Sequence, residues 1–348
     1  MDHLAVTARI PLPEPLSPGY GFVRHDGRRG VAVGRRTGQL WLLDIDPRAR
    51  TCEPRPLAIH LPRSSDGRGW NVHVMSGSHA LERLLLWSRD HQPRVYAIPS
   101  GELVAALPTL PGPTLCLSPD GRWVISVGEG RGGTLDLDAG EAAWSETFTF
   151  HHRERDSDGE LEGLALHGVQ SVVALPCADG DVPEGEEHFW LAAGCYGVVV
   201  THRVDALHGL GELRRIPGQT RIVGDLVYDP TDVLWPAAHR HVLVWHGHGC
   251  GLAAIDPATG QLHHCWVRGR GQQPYGFFSG VLACGTAPVA WAPCGDGDFL
   301  WRVGQPPVPV PAPPDLAMPI ALYPDALLCL SVDGGELLWC SLPDAAGE

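Results

Sequence analysis

The chain reads as an all-β protein: seven blades, each a four-stranded antiparallel sheet, forming one β-propeller domain over residues 1–348. Three observations predict it. Apolar runs are short, rich in Val, Leu and Trp, and bounded by Gly, Pro and Asp, which is how strands are punctuated. No segment sustains a helical stripe over about ten residues. One hairpin pattern recurs at intervals of about 40 to 65 residues, a spacing that suits four-stranded blades with insertions.

Seven hairpins carry that repeat. They pair Val31–Gly34 with Leu40–Leu43, Leu84–Trp87 with Val95–Ile98, Trp123–Val127 with Thr134–Leu137, and Phe189–Ala193 with Gly197–Val200. Further along come Val242–Trp245 with Leu252–Ile255, Val289–Trp291 with Phe299–Trp301, and Leu327–Leu330 with Leu337–Cys340. Acidic or Pro-initiated turns precede several of them: Asp26-Gly27, Pro119-Asp120-Gly121, Asp229-Pro230 and Pro324-Asp325. There Pro presets φ and Asp caps the turn. Gly101-Glu102, Gly140-Glu141, Gly211-Glu212 and Gly260-Gln261 follow hairpins and mark the turn into an outer strand. The last hairpin stops short of such a strand, whereas Leu4–Leu12 is strand-like and has no blade. The opening stretch is therefore expected to complete the final blade, closing the ring without an exposed edge.

Ser118-Pro119-Asp120-Gly121-Arg122-Trp123 is similar to the inner turn of a WD repeat. Ile255-Asp256-Pro257-Ala258-Thr259-Gly260-Gln261-Leu262 is similar to a quinoprotein-repeat turn. Through these turns the chain resembles the WD-repeat and quinoprotein-like β-propellers, which implies a scaffold that holds protein partners on its rim and loops. In size and lack of lysine it also resembles the propellers encoded beside MoxR-type ATPases and von Willebrand A-domain proteins in bacterial conflict systems. That resemblance implies a bacterial source and partners in an ATPase-containing complex.

All 26 basic residues are arginine. Without lysine there is no Walker-A phosphate loop, no Schiff base and no kinase-type ATP lysine. G-x-S-x-G and H-E-x-x-H are missing as well. A net charge of −14 opposes direct nucleic-acid binding. No apolar run approaches the eighteen or so residues of a membrane helix, and Met1–Arg9 has no secretory pattern, so a cytoplasmic protein is expected. Cys116, Cys329 and Cys340 lie in apolar runs and read as core residues, since no C-x-x-C spacing occurs.

Candidate sites fall in four places. His239, His241, His246, His248, Cys250, His263, His264 and Cys265 crowd the fifth blade, and His246, His248 and Cys250 could converge on zinc. An insertion at about 150–162 carries Arg153, Glu154, Asp156, Asp158 and Glu160, the last three spaced like the start of a calcium loop. A second acidic stretch at about 177–188 adds Asp179, Asp181, Glu184, Glu186 and Glu187. Both acidic stretches read as solvated loops and as a partner surface, because long loops on a rigid scaffold are where recognition sits. A Pro-rich connector at about 304–319 reads as extended chain between blades. Eight tryptophans, from Trp41 to Trp339, fall on hairpin strands and read as packing between blades.

The function expected is a non-enzymatic protein-binding scaffold with no cofactor, zinc or calcium remaining open at the sites above. The alternative is a metal-dependent hydrolase, lactonase-like, or a lyase, with inner-strand Asp, Glu and His converging on the central axis.

Overall fold

In the computed structural model, the structure describes residues 4–23, 27–63, 70, 74–78, 81–88, 91–108, 114–128, 131–139 and 316–342, and between 140 and 315 the strands given below. Among these residues there is no helix. In chain order the first sheet holds β2 (Leu16–Val23), β3 (Arg29–Gly34), β4 (Gln39–Asp46) and β5 (Thr51–His60). The second holds β6 (Val74–Gly77), β7 (Arg83–Ser88), β8 (His91–Ala97) and β9 (Leu103–Ala106). The third holds β10 (Thr114–Leu117), β11 (Trp123–Gly128), β12 (Arg131–Asp136) and β13 (Phe148–Thr149).

A separate two-stranded ladder follows, β14 (His151–Arg155) with β15 (Leu161–Ala165). The fourth sheet holds β16 (Ser171–Pro176), β17 (His188–Cys195), β18 (Val198–Asp205) and β19 (Gly209–Leu210). The fifth holds β20 (Thr231–Leu234), β21 (Val242–His246), β22 (Gly251–Ile255) and β23 (Leu262–Val267). The sixth has three described strands, β24 (Val289–Cys294), β25 (Gly297–Arg302) and β26 (Val308–Val310). In the seventh, β27 (Leu316–Leu322), β28 (Ala326–Ser331) and β29 (Glu336–Ser341) are joined by β1 (Val6–Pro11).

All seven expected hairpins are present, and every strand pair among the described residues is antiparallel. The opening strand does pair with the last one, Arg9 opposite Leu338 and Pro11 opposite Glu336. Its alternation of half-buried and exposed residues fits an edge strand, whereas β28, two strands further in, is buried at every position. Around β28 and β29 the core gathers Leu327, Leu328, Leu337 and Trp339 with Leu43 and Ile45 of β4. The Trp339 ring lies 5.3 Å from that of Tyr323. Cys116, Cys329 and Cys340 are buried, as expected. Burial pushes the Cys116 thiol up, and burial with Asp44 and Glu53 nearby lifts Cys52 to about 12, so both stay protonated and inert.

The repeat extends to single hydrogen bonds. At the end of the third strand of four sheets, an apolar residue donates its N–H to the carbonyl just ahead of the second strand. These are Ile45 to Arg28, Ile98 to Glu82, Leu137 to Arg122 and Leu342 to Asp325, all at 2.8–2.9 Å. Sheets also touch through their first strands: β2 lies against β27 and β6, β6 against β10, β10 against β16, and β16 against β20.

Three details differ from the sequence reading. His91-Gln92-Pro93, read as turn, begins β8, with Ser88 opposite His91. The inserted loop contains the β14–β15 ladder. The Pro-rich connector supplies β26, pairing Val308 with Leu300 and Val310 with Asp298. Pro309 is tolerated there because an edge strand turns alternate N–H groups away from its partner.

Candidate functional site

Antiparallel pairing gives each sheet two ends. Turns between strands one and two, and three and four, lie at one end, here the lower. Turns between strands two and three, with the crossing to the next sheet, lie at the upper end.

The lower end is built of ion pairs and close-packed turns. Arg122 grips Asp136 through Nη2 at 2.7 Å and Nε at 3.0 Å, and its guanidinium lies 5.1 Å from the centre of the Trp123 ring. That grip holds the Asp136 carboxyl below its usual range, against the opposing effect of burial. Arg83 reaches from the second sheet to Asp138 of the third at 2.7 Å. Asp44 receives both Arg29 and Arg55, and Arg50 bridges to Asp325 of the seventh sheet. Gly27 has φ +69, and a Cβ there would stand 2.7 Å from the Tyr323 ring, whose Oη donates to the Gly27 carbonyl at 2.5 Å.

One serine turn appears at both ends. In Ser78–Arg83, Ser118–Trp123 and Ser331–Glu336, the buried serine carbonyl accepts from the residue three ahead, and Oγ accepts from the N–H five ahead. The residue three ahead has positive φ: Leu81 at 50°, Gly121 at 80°, Gly334 at 76°. Ser118 and Ser331 Oγ also donate to Asp120 and Asp333. Ser118 is legible in the sequence within Ser118-Pro119-Asp120-Gly121, whereas the equivalent roles of Ser78 and Ser331 are not.

The upper end is organised differently. Leu12 and Leu16, flanking the link from β1 to β2, donate to the carbonyls of Gly335 and Gly334 at 2.9 and 2.8 Å. From that strap, Glu14 reaches the turn after β3 and accepts from Thr37 Oγ1 at 2.6 Å and Trp41 Nε1 at 2.9 Å. Burial opposes its charge, but these donors and the Arg36 and Thr37 amides outweigh it, so the Glu14 carboxyl titrates below its ordinary value. Arg35 donates its N–H to the Pro15 carbonyl at 2.7 Å. The side chains of Arg35 and Arg36 remain exposed at the turn's tip. Beside them, Arg63 stacks 5.0 Å from the centre of the buried Trp70 ring, with Nη2 3.2 Å from the Arg36 carbonyl. Gly38, at φ +70, comes so close to Trp70 that a Cβ would stand 2.6 Å from the ring.

The residues singled out from the sequence are divided between the ends. Arg153 and Glu154 lie on β14, where Glu154 stands opposite Glu162. Asp156, Asp158 and Glu160 lie outside the described residues. Thr149 before this insertion and Ser171 after it belong to the upper end, opposite Arg131 and Gly194. Asp179, Asp181, Glu184, Glu186 and Glu187 also lie outside the described residues, between Pro176 and His188. Those flanking residues close the lower end of the fourth sheet. Thr149 and Ser171 thus stand at one end, and Pro176 and His188 at the other.

His246 ends β21 opposite Thr231 at the upper end, and His248 and Cys250 lie outside the described residues. His263 and His264 begin β23 at the lower end, so the histidine-rich stretch is split as well. Among the described residues, no three His, Cys, Asp or Glu side chains gather as a metal-ligand set. No helix among them is long and apolar enough to cross a membrane. No family model and no curated protein matches the chain.

Proposed function

We propose that the chain is a closed seven-bladed β-propeller acting as a non-enzymatic scaffold, with its partner surface at the upper end. Pairing of β1 with β29 and the succession of neighbouring first strands support the ring, since both are what a circular array of sheets requires. The observation that carries the scaffold reading is the β14–β15 ladder. It stands outside the repeated four-strand unit, at the upper end, and puts Arg153, Glu154 and Glu162 on a built element. Elements added to a repeated unit on a rigid scaffold are where recognition accumulates.

The test replaces residues 151–165 with a short Gly-Ser link and compares co-purification from the native host. The full chain should retain a stoichiometric protein partner, of the ATPase-complex class the resemblance implies, and the shortened chain should lose it while unfolding at the same temperature. A partner held equally by both, or none held by either, would overturn the reading.

A further inference from the structure

We infer that the upper end of the first sheet, centred on Arg35, Arg36 and Arg63, docks an acidic linear segment of a partner protein. The proposal rests on the scaffold reading and names the chemistry of its partner.

Three arginines are neighbours there: Arg63 Nη2 is 3.2 Å from the Arg36 backbone carbonyl, and Arg35 and Arg36 share the tip of one turn. Among the described residues none of the three has a carboxylate partner, whereas Arg9, Arg29, Arg50, Arg55, Arg83 and Arg122 all do. Two carboxylates are close along the chain fold, and neither forms an ion pair with these arginines. Glu14 is held by Thr37 and Trp41, and Asp333 by Ser331 Oγ and the Gly335 amide. In a chain of net charge −14, three neighbouring arginines with no carboxylate partner among the described residues are a local exception, complementary to an acidic ligand.

The platform is also rigid. The turn is tied to the strap through Arg35, Thr37 and Glu14, and Arg63 is fixed over Trp70. Fewer rotamers are then lost on binding. Val332, 62% exposed on the neighbouring turn of the seventh sheet, offers an apolar contact at the same end. A peptide is favoured over a nucleic acid because a long polyanion would meet the negative field of the whole molecule, while a short segment meets only the patch.

The experiment measures fluorescence anisotropy of a labelled deca-glutamate peptide against the full chain at low salt. Arg35→Glu/Arg36→Glu should weaken binding about tenfold or more, and added salt should weaken the wild type in the same direction. Arg28→Glu/Arg48→Glu makes the same change in net charge at exposed lower-end positions and should leave binding within about threefold. Thermal unfolding confirms that each variant is folded. Equal losses from both pairs, or no loss from the first, would overturn the site, as would a short single-stranded DNA binding more tightly at the same arginines. Both variants also go through co-purification. A partner retained by Arg35→Glu/Arg36→Glu, with no peptide bound, removes the docking site and leaves the scaffold. Peptide binding lost with that variant, where nothing co-purifies with the wild type, keeps the docking chemistry and removes the scaffold.

Discussion

The lower and upper ends of the sheets use the same residue types to opposite effect. At the lower end arginines are spent inside the molecule, holding one sheet to the next: Arg83 to Asp138, Arg50 to Asp325. At the upper end backbone hydrogen bonds and the Glu14 strap do the joining, and arginines are left facing water. An arginine that ties two sheets together has its charge and geometry committed. One exposed on a turn held by other groups is available to a partner.

The largest effect expected concerns the strap. Gly334→Val would force a branched residue into positive φ, with its Cβ 2.5 Å from the Leu16 carbonyl, between the seventh and first sheets. Left-handed strain and overpacking together should cost about 3–5 kcal/mol, read from the denaturant midpoint. At the lower end Gly121→Ala meets side chains and no backbone, Ser78 Cβ at 2.8 Å and Arg83 Cδ at 3.4 Å, so about 1–3 kcal/mol is expected. A smaller loss at Gly334 than at Gly121 would reverse the assignment of which joint is backbone-built.

Arg122→Ala removes the two-pronged hold on Asp136 and should cost about 1–2 kcal/mol. Arg35→Ala and Arg36→Ala should each stay within about 0.5 kcal/mol, since both are exposed and neither holds a carboxylate among the described residues. Comparable losses at all three positions, in the same urea titration, would erase the contrast between the ends.

The pH dependence is subtler. Glu14, Asp136 and Asp333 all have carboxyl pKa values lowered in the folded state. A lowered folded value stabilises the protein above the unfolded carboxylate pKa, and that stabilisation is lost as pH falls through the folded one. Acid should therefore loosen both ends, beginning below about pH 4. Glu14→Gln should remove part of the acid sensitivity: its stability deficit against wild type at neutral pH should shrink toward pH 2–3. A deficit that is constant with pH would show that the Glu14 charge contributes nothing to the strap.

Legibility in the sequence varied with range. The seven hairpins and the pairing of β1 with β29 were readable because strand periodicity and turn chemistry are local, and an unpaired strand at one terminus matches an incomplete sheet at the other. β26 was obscured because its prolines look like a connector, although Val308 and Val310 carry the N–H groups available to an edge ladder. The Ser78 turn was passed over because Leu81, not glycine, occupies its left-handed position, and the fully buried leucine side chain compensates. The Arg35–Arg36–Arg63 patch could not be found in the sequence at all. Arginine is frequent throughout this chain, and nothing local tells a paired one from an unpaired one.

By itself, then, the amino-acid order determined what alternation and turn residues encode: strands, hairpins, the repeat, and which cysteines are core. Tertiary structure decided which charges cancel and which remain exposed. It also set His246 and the pair His263 and His264 at opposite ends of one sheet, because antiparallel connectivity sends successive turns to opposite ends. Salt bridges such as Arg83–Asp138 join residues from different sheets, and only their meeting in space reveals which arginines have no such partner among the described residues.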